Sequence, residues 1–313
     1  MPICAFDIFP DGTTKVPDDT ALTGNGTYRW WHYDLTDPSL PEWARRHLPE
    51  IPAGALLQPE TRPRCDRFED GLILNLRGIN MNEGSDADQM ISVRMWIADD
   101  VVITVRRRKV FAVDEIRHRC KEQMPPMTSA AFLEALIEKL TTRVQAHVEF
   151  IAGLTDDFEN ELGEKPIGPT AMLSDTRRSV IRLRRYLEPQ RAALTKLAQL
   201  DIPLLPQASR LQLRELANRS TMAVEELDAL RERLISVQEE HDVNIAQRQA
   251  HHGYVLSMAA AIFLPLGFLT GLFGVNVGGM PGINSPWAFA ILSLAMIGLA
   301  ALMYLILKWV RWL

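Results

Sequence analysis

Two uncharged apolar runs near the C-terminus constrain this chain more than any other feature of its sequence. The first, Tyr254 to Phe273, reads YVLSMAAAIFLPLGFLTGLF, and the second, Trp287 to Leu307, reads WAFAILSLAMIGLAALMYLIL. Each holds about 20 residues, enough at about 1.5 Å per residue to cross a hydrocarbon core of roughly 30 Å. A buried hairpin in a soluble core rarely sustains two such runs without a charge. Both runs are therefore read as membrane spans.

The flanking residues set the orientation. Arg248, His251 and His252 precede the first run, Lys308 and Arg311 follow the second, and the segment 274–286 between them carries no charge. Basic residues stay inside, so both termini are expected in the cytoplasm with the short loop outside, in a plasma (inner) membrane. Trp287, Tyr304, Trp309 and Trp312 stand where aromatic rings settle at the membrane interface. The N-terminal stretch MPICAFDIFPDGTTK has no basic region leading into a long apolar run, so no signal peptide is expected. The expected division is a cytoplasmic domain 1–205, a stalk helix 206–252, a first span 253–273, an outer loop 274–286, a second span 287–307 and a basic tail 308–313.

Two helices cannot enclose a pore. Conduction by such a chain requires a homo-oligomer closed around a symmetry axis.

From about Leu211 to His252 the chain has no proline and no glycine. Leu213, Leu216, Ser220, Ala223, Leu227, Leu230, Leu234 and Val237 recur at alternating spacings of three and four, the seam of a long helix. That seam suits a stalk entering the membrane or an amphipathic helix in a cytoplasmic bundle. Further on, Ala246, Ala250, Gly253, Ser257, Ala260, Leu264, Gly267 and Gly271 form a second stripe, small in all but one position. It suits close helix packing. It equally suits a pore lined by Gly253, Ser257, Ala260, Leu264, Gly267 and Gly271.

Neither span contains Asp, Glu, His or Cys. A site that strips a zinc ion bare needs such ligands, usually about four. A cation crossing here is expected to keep most of its water, touched from outside by hydroxyls, amides and carbonyls.

The first span ends FLTGLFGVNVGGMPG, with Gly274, Val275 and Asn276 at its outer end. This triplet, behind the Phe263-x-Pro265-Leu266-x-Phe268 run and a long stalk, resembles the Gly-Met-Asn signature of the CorA superfamily of divalent cation transporters, with Val275 in the methionine slot. Within it the chain is most similar to the ZntB zinc transporters, which share the pattern of residues 274–282. Thr61-Arg62-Pro63-Arg64, Leu76-Arg77-Gly78-Ile79-Asn80, Met90–Trp96 and Ile103–Arg106 extend the resemblance through the cytoplasmic half. Many magnesium members carry a Glu where this chain has Gly282, so its loop is neutral. The resemblance implies a homopentameric funnel, zinc uptake linked to a proton gradient, and Asn276 as the ring that meets the hydrated ion. No permanently bound cofactor is expected; Zn2+ is the cargo. A passive Mg2+, Co2+ or Ni2+ channel and a non-conducting membrane-tethered sensor or scaffold are the alternatives.

Before residue 120, short β-rich runs (Ile3–Phe9, Thr27–Tyr33, Leu72–Leu76, Ile91–Ile97, Val101–Val105) alternate with turns, and helical periodicity follows over Thr128–Leu162 and Met172–Leu200. Strands first and helices after predict an α+β domain. The resemblance implies a mixed sheet between helical layers. No phosphate loop, Ser-His-Asp order or H-E-x-x-H motif is present, so no enzyme is expected. The net charge of −5 argues against nucleic acid as a partner.

Four smaller groups of residues could carry chemistry. Glu239, Glu240, His241 and Asp242 on the stalk would form an acidic cation collar in a ring, or a solvated helix face. His251 and His252 are titratable near neutrality and are candidates for proton linkage. His118 and Cys120 could share a metal, though an i, i+2 pair is weak. Arg62, Arg64, Arg77 and Arg94 are read as structural salt-bridge partners in preference to an anion site. Cys4, Cys65 and Cys120 are scattered and read as ordinary thiols.

Overall fold

The computed structural model describes residues 1–164, 170–275, 282 and 284–309. The elements run β1 (Cys4–Ile8), β2 (Thr14–Lys15), β3 (Tyr28–Asp34), α1 (Leu40–His47), α2 (Glu50–Leu57), β4 (Arg64–Phe68), β5 (Gly71–Gly78), β6 (Ile91–Ile97), β7 (Val101–Arg106) and α3 (Phe111–Lys121). Four longer helices follow: α4 (Ser129–Glu164), α5 (Thr170–Gln199), α6 (Gln207–Gly274) and α7 (Ala288–Trp309). The chain divides into two compact units, Met1–Gln238 and Glu239–Leu313.

In the first unit the strands form one mixed sheet, ordered β2-β1-β3-β7-β6-β5-β4. Among the described residues β3 and β7 pair in parallel and the other neighbours antiparallel. Successive side chains on a strand point to opposite faces. Accordingly Trp30, Leu72, Leu74, Leu76, Val93, Met95 and Val102 pack with α3, α4, α5 and the start of α6 on one face. Their alternates Trp31, Ile73, Trp96, Val101 and Ile103 pack with α1 and α2 on the other. A sheet buried on both faces between helical layers results, as the family resemblance implies.

Elements with weak apolar patterns differ from expectation. β4 reads RCDRF, and only Cys65 is buried, as suits the edge strand at which the sheet ends. Gly71 follows the β4–β5 turn because its α-carbon lies against the Trp96 ring, where a Cβ would come within 2.3 Å of a ring carbon.

Thr128 caps α4: its Oγ1 accepts a hydrogen bond from the Ala131 N–H at 3.1 Å. Pro203 and Pro206 separate α5 from α6, since neither can supply a helical N–H. Past the sheet, α4, α5 and α6 share a second core: Val144, Val148, Ile151 and Phe158 meet Leu173, Val180, Leu183 and Leu187, and both meet Leu227, Leu230, Leu234 and Val237. Every residue of the predicted stalk seam, Leu213 through Val237, is buried. The seam is filled by this chain's own α4 and α5. Its periodicity thus reports a helical bundle within the first unit, and the boundary between the units falls inside α6.

Candidate cation pathway

α6 continues through the first predicted span to Gly274, and α7 supplies the second. Both are long and apolar enough to cross a membrane, and their most apolar windows are 0% and 6% buried. A core helix of a soluble protein would be mostly covered. Phe289, Ile291, Leu294 and Ile297 on α7 and Phe263, Leu264 and Phe268 on α6 are exposed, a surface compatible with lipid or with other subunits. Trp287 and Trp309 bracket α7 and are also exposed.

Within the second unit one stripe on each helix is less exposed than the rest. Tyr254, Met258, Ala261, Pro265 and Leu269 are half-buried on α6; Ala288, Leu292, Met296, Leu299, Met303 and Leu307 are half-buried or buried on α7. The small-residue stripe lies one residue earlier at almost every step, about 100° round the helix. Gly253, Ser257, Leu264, Gly267 and Gly271 are exposed, and only Ala260 is half-buried. A Cβ built on Gly253, Gly267, Gly271 or Gly274 would meet nothing within 4 Å. Packing inside the chain therefore does not require these residues to be small.

At the outer end the Thr270 hydroxyl reaches back to the carbonyls of Leu266 (3.1 Å) and Gly267 (3.0 Å). Gly274 is the last helical residue and Val275 is exposed at the bend beyond it. Asn276, the expected filter residue, lies outside the described residues, as do Pro281, Arg311 and Trp312. Gly282 has φ of +90°, a left-handed conformation that disfavours any side chain. That conformation gives a local reason for Gly at the position where magnesium members carry Glu. The Gly282 carbonyl accepts from the Ser285 N–H at 3.0 Å, and the chain then enters α7.

At the other end of this unit, Glu239, Glu240 and Asp242 are exposed, whereas His241 is buried with no hydrogen-bond partner for Nε2 among the described residues. The four thus do not present one surface: three carboxylates are solvent-facing and the imidazole is withdrawn. His251 and His252 are both exposed on α6.

Two smaller expectations need correction. His118 is exposed and pairs with Glu122 at 3.2 Å, while Cys120 is fully buried and its thiol is pushed up to about 12 by burial, so the two do not share a metal site. Among the described residues, only Arg64 of the four arginines has a carboxylate partner, Asp66 at 3.6 Å. Arg77 and Arg94 bind backbone carbonyls instead. Burial pushes both guanidinium pKa values down. Spacing could not separate the two cases, because carbonyl partners leave no mark in sequence.

These features define a class: membrane proteins that carry a folded N-terminal unit on two C-terminal spans joined by a Gly-x-Asn loop. The chain belongs to the CorA-like Mg2+ transporter protein family, whose profile matches residues 25–308. It is 34% identical over 286 residues to the zinc transport protein ZntB of Pectobacterium carotovorum subsp. carotovorum (strain PC1), covering 91% of this chain and 88% of that protein. It is 33% identical over 289 residues to the divalent cation transporter CmaX of Pseudomonas aeruginosa, covering 91% of this chain and 87% of that protein. The solved structure of full-length CmaX superposes with a TM-score of 0.86 at 31% identity, over 99% of this chain and 98% of that one.

Proposed function

We propose that this protein transports divalent cations, zinc among them, across an inner membrane as a homopentamer, with both termini in the cytoplasm. The observation that carries the proposal is the stripe Gly253–Gly271. It is small except at Leu264 and exposed except at Ala260, sits off the half-buried face of α6, and runs to the Gly274-Val275-Asn276 loop. Copies of α6 arranged round an axis would turn this stripe toward a wide, uncharged lumen. A cation there keeps its hydration shell, because no ionised ligand is offered to strip it. Asn276 supplies amide oxygens at the outer mouth as an outer-sphere ring around the hydrated ion. The exposed carboxylates of Glu239, Glu240 and Asp242 raise the local cation concentration at the inner end.

Zinc as the preferred ion is supported by the likeness to ZntB. A broader cation range is supported by CmaX, which matches this chain at nearly the same identity. Zinc, magnesium and cobalt uptake into proteoliposomes, with and without an imposed pH gradient, separates the readings. Proton-linked zinc uptake predicts a zinc flux that grows with the gradient. A passive channel predicts flux of all three ions, indifferent to the gradient. No flux of any ion would leave only a tethered sensor or scaffold. Replacing His251 and His252 together tests the proton link: an unchanged pH dependence would remove them from it.

A further inference from the structure

The first unit contains a cavity of about 850 Å³ unrelated to the spans, walled by β5, β6, α5 and the segment before β4. Arginines dominate its lining. Arg62, Arg107, Arg108 and Arg185 stand exposed at its rim, none with a carboxylate partner among the described residues. Arg182 joins them and is the one that is paired, with Asp88 at 2.7 Å. Arg77 and Arg94 form the floor. Arg94 is 1% exposed and is anchored by the carbonyls of Gln58 and Pro59, both at 3.1 Å. Arg77 gives its Nη atoms to Met90 O and Thr61 O and lies 3.9 Å over the Tyr186 ring.

Against these guanidiniums the lining offers only Glu60 and Asp88. Two donors on the floor are unused. Arg77 Nε and the Thr61 hydroxyl are buried and have no hydrogen-bond partner among the described residues, and Thr61 as a whole is 93% buried by its 7% exposure. Buried polar atoms in folded proteins are almost always satisfied. Guanidiniums held this close without counter-charge repel one another, and burial together with the neighbouring arginines pushes the Arg94 pKa down. An arrangement that is costly when empty is favourable when an anion fills it.

We propose that this cavity binds an anion with two or more linked phosphate groups, such as the triphosphate chain of a nucleotide. Arginine presents paired N–H groups that match phosphate oxygens bidentately. The number of unpaired guanidiniums exceeds what a single monovalent ion could neutralise. The volume lies in the range of pockets that hold whole small molecules, roughly 300–1,000 Å³, far beyond one halide.

The test uses the purified full-length protein in detergent, in metal-free buffer at fixed ionic strength, so that the probe cannot act by chelating a transported cation. Binding of inorganic triphosphate, ATP, orthophosphate and chloride is measured calorimetrically. Triphosphate and ATP are expected to bind alike, and orthophosphate and chloride at least about tenfold more weakly. The Arg107→Ala/Arg108→Ala double variant changes only exposed side chains, and it should weaken triphosphate binding by at least about tenfold. Arg185→Ala is a second, independent probe of the same rim. Equal binding by the variants, or responses that follow ionic strength alone, would overturn the proposal. ATP binding without triphosphate binding would overturn it too, because recognition would then lie in the nucleoside.

Discussion

Arg233 on α6 grips Glu159 on α4 with two hydrogen bonds, from Nε at 2.8 Å and from Nη2 at 2.6 Å. The same Nη2 reaches Asp156 one turn earlier at 2.5 Å. This fork ties the long helix to its bundle just before Val237, the last residue of the α4–α5–α6 core.

The Arg233 hydrogen bonds hold the Glu159 carboxyl below the usual glutamate range. A carboxylate with a lowered folded pKa stabilises the fold above its ordinary value near 4.5 and loses that contribution as pH falls through the lowered value. The groups are solvent-accessible, so an Arg233→Ala/Glu159→Gln double-mutant cycle should show a coupling of about 1 kcal/mol at neutral pH. Thermal melts at neutral and at acid pH check this, and the coupling should shrink as pH falls.

Leu230 is fully buried where α6 meets α4 and α5. Leu230→Ala should cost about 2–5 kcal/mol of stability in the first unit, through lost burial and the cavity left behind. Met222→Ala, on the exposed side of the same helix, should cost almost nothing. Denaturation of the two variants side by side makes the comparison.

His32 lies in the middle of the sheet, with Nδ1 2.8 Å from Thr104 Oγ1 and Nε2 without a partner among the described residues. Burial, with the Arg106 guanidinium nearby, pushes its pKa from 6.5 down to about 3. The folded state thus excludes a proton that the unfolded chain accepts. The wild-type protein should lose stability as pH falls below 6.5 and level off near 3. The full linkage is roughly 5 kcal/mol. A His32→Asn variant should lack this slope, whatever its stability at neutral pH, and melts across that range measure it.

A side chain added at Gly267 meets nothing in the chain itself. Gly267→Val should therefore leave the first unit's melting unchanged while reducing cation flux by tenfold or more, by narrowing the lumen or spacing the subunits apart; the tenfold figure is about 1.4 kcal/mol of barrier. Unchanged flux would place the stripe on the lipid side and remove it from the pathway.

Much of this architecture was legible in the sequence because strong physical constraints leave strong patterns. The spans are written in uncharged runs of bilayer length, and the strands β3, β5, β6 and β7 in apolar runs that a sheet covered on both faces requires. The helices α1, α2 and α3 were not legible: they are short, and prolines punctuate the first two, Pro41 and Pro52 lying within them. The α6 seam was visible but its partner was not, since a three–four repeat looks the same against a copy of itself as against α4 and α5. The arginine cavity was half visible. The residues Arg62, Arg77 and Arg94 stood out, yet Arg107, Arg182 and Arg185 reach it from β7's end and from α5, more than ten and nearly a hundred positions further along the chain. Sheet topology and the packing of α5 against β4 and β5 bring them together.

On the proposed function, hydrated divalent cations cross at the loop that closes the first span. Zinc flux into proteoliposomes by the wild-type protein and by Asn276→Ala, each confirmed to keep the same oligomeric state, tests it most directly. The expected result is protein-dependent zinc uptake in the wild type and its loss in the variant. Equal uptake by both would mean that the ion is selected somewhere other than the Gly274-Val275-Asn276 loop, and would overturn that loop's role.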